Sequence, residues 1–574
     1  MSFPGLSRAL IRRRSWSVLV DLLVFTVVLA GICGILATVR YWMGVVTPEA
    51  HISQSPTALP AYAFYSLVRM GVAYILSLVF AVAYGYIAAY HRRVETVMVA
   101  ALDILQSIPV LSFLPGVMLA MVSLIPTRQL GVELGSIILI FTGQVWNMAF
   151  SFYSSLKSIP RELREAAAIY HFGPWQRFME LELPFGVIGL VWNSIVSVAG
   201  GWFFLMACEM FVLGNHDFRL PGLGSYLQTA ASRGDTAGIL WGLAAMIAVI
   251  VLLDQLIWSP LIAWSERFKF EQVESVRATS PILDLLRKSH ASRWMSKRFL
   301  LPAWERLTVA REHAEAAGHT AKRWRPGQLA AAGGGAVLLA AVPFALVHGA
   351  LILKSLTSAE LLSTVKAAGV TFGRVACSLA IAALWTVPVG VAIGFNQRLA
   401  RVAQPLAQIA ASVPATALFP VVLLALVKVG GGLGVGSIVL MLLGTQWYIL
   451  FNVIAGAMAI PSELREVSSL FRFGRLQRWQ TVILPGIFPY LVTGLVTASG
   501  GAWNASIVAE YFHFQGKTMT TFGLGAQISS ATDSGNTDLL LLSTIVMAAL
   551  VVCVNRLVWR PMYHLAESRF RLEA

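Results

Sequence analysis

Apolar runs of roughly twenty residues recur along this chain, and no other feature restricts its fold so severely. Crossing a bilayer as a helix takes about 20 apolar residues. Six segments of the first half approach that length: 17–39, 68–90, 105–125, 134–156, 186–208 and 237–260. Six more follow at 328–353, 373–395, 410–428, 435–457, 487–509 and 539–560. Only 12% of the residues are charged and 57% are hydrophobic, whereas soluble domains carry about 25% charged residues. The expectation is an all-α polytopic membrane protein with about 12 transmembrane helices. Pro109 and Pro115 in the third run, and Pro414 and Pro420 in the ninth, predict kinked or broken helices there.

The net charge of +15 does not point to nucleic acid, because the basic residues cluster beside the apolar runs. Arg8, Arg12, Arg13 and Arg14 precede the first run, which is longer than the about 7–15 residues of a signal peptide's apolar core. A retained first helix with a cytoplasmic N-terminus is expected. The even-numbered loops then face the cytoplasm, and they hold His91-Arg92-Arg93, Arg161 to Arg177, the 263–326 linker, Arg398, Arg401 and Arg465 to Arg478. The opposite loops at 40–65 and 354–365 hold few Lys or Arg, in keeping with the positive-inside rule. The C-terminus also falls on the cytoplasmic side. Cys33, Cys208, Cys377 and Cys553 each sit in an apolar run without metal spacing, and suggest packing rather than a disulfide framework.

The chain repeats itself. At an offset of 301, Trp146 matches Trp447, Pro160 matches Pro461, and Leu163-Arg164-Glu165 matches Leu464-Arg465-Glu466. Trp202 matches Trp503, Glu209 matches Glu510, and Gly222-Leu223-Gly224 matches Gly523-Leu524-Gly525. Earlier the offset is 305, pairing Arg69 with Arg374 and Ser107-Ile108-Pro109 with Ser412-Val413-Pro414. We divide the chain into a first membrane domain at 1–262, a basic cytoplasmic linker at 263–326 with an amphipathic stretch from Leu285 to Leu300, and a second membrane domain at 327–574. Six spans per half is an even number, so both halves share one orientation. They should pack about a pseudo-two-fold axis along the membrane normal, with a pathway between them.

Two polar loops, about 157–184 and 458–485, lie between apolar runs on the cytoplasmic side. Each begins after a proline, with Glu162 or Glu463 suited to the positive end of a helix. Leu163, Ala166, Ala167 and Tyr170 recur at helical spacing and predict one apolar face, suited to a groove on a partner. Gly173 and Gly474 are expected as C-terminal caps. Pro184 and Pro485 are expected to stop the next segment before the membrane.

These residues resemble the cytoplasmic Glu-Ala-Ala loop of bacterial ABC importer permeases. The resemblance covers nearly the whole chain, twice. Glu165-Ala166-Ala167 keeps the signature, while Trp175-Gln176, Phe178 and Leu183-Pro184 are similar to the nitrate, sulfonate and taurine branch. The second copy departs, with Glu466-Val467-Ser468. The family's glycine usually lies six residues after the Glu, where this chain has His171 and Arg472.

The resemblance implies two tandem six-helix type I importer domains fused in one chain, in a bacterial inner membrane. It also implies a coupling helix in each loop, carried by Arg164, Glu165, Ala166, Ala167, Gly173 and Pro184 and by Arg465, Glu466, Val467, Ser468, Gly474 and Pro485. The implied partners are two copies of an ATP-binding subunit, which carry the ATP and Mg, and an extracytoplasmic solute-binding protein. This chain is expected to bind no cofactor, to hold no catalytic residue, and to pass a small anion such as nitrate, a sulfonate or a taurine-like solute. Gly516-Lys517-Thr518 is no phosphate loop, because the glycine required five residues earlier is Tyr511.

Polar residues inside spans are candidates for the pathway, with interhelical hydrogen bonding as the alternative. Glu209 and Glu510 end the fifth span of each half, as gate, structural or substrate-contacting groups. Trp202 and Trp503, beside paired glycines, would plug a path or simply pack, and Asn504 is a further candidate. Arg69 and Arg374, near the outer start of the second span, would attract an anion, pair with the glutamates or snorkel. An ion-coupled secondary transporter built from parallel repeats, using those carboxylates, is the alternative reading. It leaves the two cytoplasmic helices without a role.

Overall fold

The computed structural model describes residues 52–125, 128–213, 216–268, 357–428, 432–514 and 517–569. The first and seventh expected spans, most of the linker and both chain ends lie outside the described residues. In the first half, α1 (Leu59–Tyr90) is followed by α2 (Arg92–Ser107), α3 (Leu114–Leu124), α4 (Arg128–Lys157) and the short α5 (Arg161–Ile169). Then come α6 (Leu183–Glu209), a hairpin of β1 (Val212–Leu213) and β2 (His216–Asp217), α7 (Leu223–Arg233) and α8 (Thr236–Leu253). The second half repeats the order as α9 (Ser358–Phe395), α10 (Gln397–Ser412), α11 (Ala415–Lys428), α12 (Leu433–Ala459) and α13 (Ser462–Leu470). It closes with α14 (Leu484–Ala509), β3 (Tyr511–Phe514), β4 (Lys517–Thr520), α15 (Leu524–Ser534) and α16 (Thr537–Val554). Each hairpin is antiparallel, the second pairing Tyr511 with Thr520 and Phe514 with Lys517.

Among the described residues, eight helices are long and apolar enough to cross a membrane, four in each half. The third and ninth expected spans are not among them. Ile108 and Val413 precede prolines, and the proline ring excludes helical backbone at the residue before it. Both adopt extended conformations, at φ −77°, ψ 127° and φ −73°, ψ 116°. The chain therefore breaks, and helices of 11 and 14 residues follow. At 1.5 Å per residue these reach roughly 16 and 21 Å, short of the ~30 Å hydrocarbon core.

Within each half, α1, α4 and α6, or α9, α12 and α14, pack side by side around buried small and aliphatic residues. Between halves the contacts are reciprocal. α8 meets α10 as α16 meets α2, and α7 meets β3 as α15 meets β1. α6 lies on α11, and α14 lies on the turn Val110–Phe113, the matching region of the first half. An interface in which each contact is returned is that of a two-fold relation, here between repeats of one chain.

Candidate functional site

At the end opposite the polar loops, both halves build the same polar cluster. Glu209, at the last turn of α6, is fully buried. Its Oε1 accepts hydrogen bonds from Arg69 Nη1 at 2.8 Å and Ser66 Oγ at 2.7 Å, both from α1. Its Oε2 accepts from the Gly224 amide at 2.7 Å, at the start of α7. The amino end of a helix offers unpaired N–H groups to an anion. Arg69 Nη1 also donates to Pro221 O at 2.9 Å, and Nη2 to Glu133 Oε1 at 2.7 Å.

The second cluster repeats this plan. Glu510 Oε1 accepts from Arg374 Nη1 at 2.8 Å and Thr371 Oγ1 at 2.9 Å, and Oε2 from the Gly525 amide at 2.9 Å. Arg374 also donates to Phe522 O and Thr521 Oγ1. Gly222 and Gly523 lie against these carboxylates so closely that a Cβ at either would overlap the carboxyl group. The two clusters differ in one respect. Position 434, which matches Glu133 at the 301 offset, is Gly434, so the second arginine faces one carboxylate instead of two.

Of the open readings for Arg69, Arg374, Glu209 and Glu510, the geometry favours pairing. A buried ion pair needs such additional donors to offset its desolvation. The sequence reading missed Ser66, Thr371 and Glu133. The 305 offset that pairs the arginines also pairs Ser66 with Thr371, so that signal was present.

Trp202 and Trp503 are 2% and 1% exposed. Trp503 stacks near Phe372 of α9, with ring centroids 6.5 Å apart. Both belong to the one packed core that runs through the two halves. Asn504 joins the halves: its Oδ1 accepts from the Leu111 amide at 3.3 Å, and its Nδ2 donates to Gly500 O at 3.1 Å. The Leu111 amide lies just beyond the break at Ile108-Pro109.

At the loop end, α5 and α13 have Glu162 and Glu463 in their first turns, with Pro160 and Pro461 at the cap position. Arg164 and Glu165 are exposed, as is Glu466. Arg164 Nη2 donates to Leu156 O at 2.6 Å, and Arg465 lies 5.4 Å over the Phe395 ring.

The expected apolar face divides. Ala167 and Ser468 are buried, and Leu163 packs on the chain's own core. Tyr170 is 75% exposed, and the exposed apolar groups are Ile169-Tyr170 in one loop and Leu470-Phe471 in the other. Val467 is 44% exposed and Ala166 half-buried. The stripe therefore seats α5 on this chain, and the tip of each helix is left exposed. The reason is spacing: the buried side is turned inward by the short connection from α4, and Tyr170 lies past the last helical turn.

Two further expectations are corrected. The left-handed residues that end α5 and α13 are His171 (φ 52°) and Arg472 (φ 51°), not glycines. Gly173 and Gly474 have extended backbone and begin the next helical turn. The turn thus needs positive φ at the place where the resemblance puts a glycine, and His171 and Arg472 supply it at a steric cost of about 1–2 kcal/mol each. Pro184 and Pro485 do not stop a segment. Continuous helix runs from Pro174 to Glu209 and from Arg475 to Ala509, through π-helical turns at Phe178–Glu182 and Trp479–Ile483. Each proline falls just beyond the π-turn, within the first two residues of the α-helical stretch, where its missing N–H is tolerated. In the first loop Arg177 Nε pairs with buried Glu182 at 2.8 Å and covers the Tyr90 ring at 5.2 Å.

Comparison with known proteins bears on both ends. A family described as "Binding-protein-dependent transport system inner membrane component" matches residues 81–257 and again 386–568. The chain is 28% identical over 187 residues to a nitrate import permease protein of Leptolyngbya laminosa, covering 32% of this chain and 63% of that protein. It is 31% identical over 137 residues to a bicarbonate transport system permease protein of Synechococcus elongatus, covering 24% and 48%. It is 28% identical over 176 residues to the taurine transport system permease protein of Escherichia coli, covering 30% and 60%. The chain spans about half to three fifths of the length of these relatives.

Proposed function

The chain belongs to the binding-protein-dependent transport system inner membrane components, and on that premise we propose that it is the whole membrane pathway of an ATP-driven importer, both halves in one polypeptide. Two copies of a separate ATP-binding subunit would dock on α5 and α13, and an extracytoplasmic binding protein would deliver solute at the end that carries the hairpins. ATP and Mg would be held by the docked subunits. The observation that carries this reading is the duplicated helix tip. The Glu165 and Glu466 carboxylates are unpaired among the described residues, both residues are exposed, and each lies one turn from an exposed apolar pair, Ile169-Tyr170 or Leu470-Phe471. A short helix with a charged side and an apolar end suits insertion into a groove. Both tips on one side of the membrane, with both chain ends, would receive one motion from a closing pair of ATPases.

The solute we infer is a small anion or sulfonate, from the relatives named for nitrate, bicarbonate and taurine. An ion-coupled carrier would need a membrane carboxylate free to take up the ion. Glu209 and Glu510 already accept from a guanidinium, a hydroxyl and a helix amide each.

The test is purification from the native membrane with associated proteins, for wild type and for the Glu165→Lys, Glu466→Lys double variant. The expected result is an ATPase that co-purifies with wild type and is lost or uncoupled in the variant. An unaltered transport rate in the variant, with no ATPase bound to wild type, would overturn the reading.

A further inference from the structure

One aromatic side chain reaches from one half to the other at the level of the paired glycines. Gly200 of α6 and Gly501 of α14 are equivalent at the 301 offset. A Cβ at Gly200 would meet one atom within 4 Å, the Tyr448 hydroxyl oxygen at 3.5 Å. A Cβ at Gly501 would lie 3.4 Å from Tyr448 Cε2. Tyr448 comes from α12, so its ring touches α14 of its own half while its hydroxyl touches α6 of the other. A group lying between equivalent residues of two related halves lies at the axis that relates them. The ring therefore occupies the line along which a path between the halves must run.

The ring packs against the hydrophobic core but is not enclosed by it. Tyr448 is half-buried, unlike the two tryptophans. Its hydroxyl makes no hydrogen bond among the described residues. The hydroxyl keeps some exposed surface beside Gly200, which leaves a donor for something that passes. The pseudo-equivalent residue is Asn147, whose Oδ1 accepts from Gln106 Nε2 at 3.0 Å. That shorter side chain does not reach across. Gly500, beside Gly501, has open space where its Cβ would be. The second half thus both reaches the axis with Tyr448 and leaves room beside it at Gly500, while the first half offers only Asn147, an asymmetry that two identical subunits could not have.

We propose that Tyr448 is the constriction of the pathway, closing it with its ring and offering its hydroxyl as a neutral hydrogen-bond donor to an oxyanion-bearing solute when it swings aside. The proposal rests on the reading of the chain as an import pathway. A neutral donor suits an anion in transit, because conduction requires binding weak enough to release. It also supplies at the axis a donor that Arg69 and Arg374, committed to Glu209 and Glu510, do not.

The test uses the full chain with its ATPase subunits and its extracytoplasmic binding protein in proteoliposomes, with nitrate and taurine as probes. In the absence of nucleotide, Tyr448→Ala is expected to raise passive nitrate flux about tenfold or more over wild type, since a dewetted aromatic barrier is removed. Tyr448→Phe is expected to stay as tight as wild type, and to lower ATP-driven uptake about tenfold through the lost charge-assisted hydrogen bond. Should the alanine variant not fold, Tyr448→Cys is a second truncation. It should leak likewise and be resealed by a bulky thiosulfonate that leaves wild type unchanged. Truncations as tight as wild type overturn the constriction, and unaltered uptake by Tyr448→Phe overturns the hydroxyl's role. If wild type shows no ATP-driven uptake but the truncations leak, the importer reading fails while the constriction stands.

Discussion

Replacing Arg69 by Met removes the cation from a buried site. Glu209 has no exposed side-chain surface, Arg69 has 4%, and Glu133 retains 26%. In the variant Glu209 keeps the Ser66 hydroxyl and the Gly224 amide and loses its countercharge. Removing one partner of a buried pair costs about 3–5 kcal/mol. Each kcal/mol moves a melting midpoint by roughly 2–4 °C for a unit of 150–250 residues, so the Arg69→Met variant should melt roughly 6–20 °C below wild type in detergent.

Arg374→Met should cost less. Arg374 is 13% exposed, and Glu510 keeps Thr371 and the Gly525 and Ala526 amides. Adding Glu209→Gln to Arg69→Met neutralises the orphaned charge and should restore part of the loss, with a coupling of about 1–3 kcal/mol. Differential scanning fluorimetry of these four proteins and of the Glu209→Gln single variant decides the matter. A midpoint for Arg69→Met within about 2 °C of wild type, or a larger loss for Arg374→Met, would refute the argument.

Gly222→Ala and Gly523→Ala should each destabilise by about 1–3 kcal/mol, because the new methyl displaces the Glu209 or Glu510 carboxylate. Gly369→Ala and Gly373→Ala, with nothing within 4 Å, serve as controls in the same thermal assay. At the loop, His171→Ile should lower the midpoint by an amount corresponding to about 1–2 kcal/mol, since a β-branched residue resists positive φ. Gly173→Ala should change it by less than about 0.5 kcal/mol, because φ there is −63°. Asn504→Leu removes the acceptor for the Leu111 amide across the halves. It should cost about 1–3 kcal/mol in the same assay.

Much of this was legible in the sequence because hydrophobic length and duplication are both long-range signals. The offsets that paired Arg69 with Arg374 and Glu209 with Glu510 anticipated two clusters. Their contents needed coordinates, since Ser66 and Glu209 lie 143 residues apart. The loops were found by pattern, yet the exposed face was not: Ala167 looks available in a helical projection and is buried, and Leu163 packs on this chain's own core. The third and ninth runs were long enough in composition, but a single residue before proline in each divided them. Tyr448 gave only a mismatch, tyrosine against Asn147 in an otherwise matched helix. Nothing in a linear pattern places a side chain on an axis. The coarse match of the known family to both halves agrees with the duplication and says nothing of this difference.

The π-helical turns have a mechanical consequence. They occur at Phe178–Glu182 and Trp479–Ile483, and again at Asp254–Trp258 and Asn555–Trp559 after α8 and α16. A π-turn holds one residue more than an α-turn, and one residue is about 100° of rotation about the helix axis. Side chains above and below each turn are thus indexed separately, and the face a helix shows to the axis is not tied to the face it shows at the loop. Were the extra residue to travel along the rod, the upper part would roll as a screw does, without bending. Four such joints at matched places leave the register of each helix end free of the register of its middle.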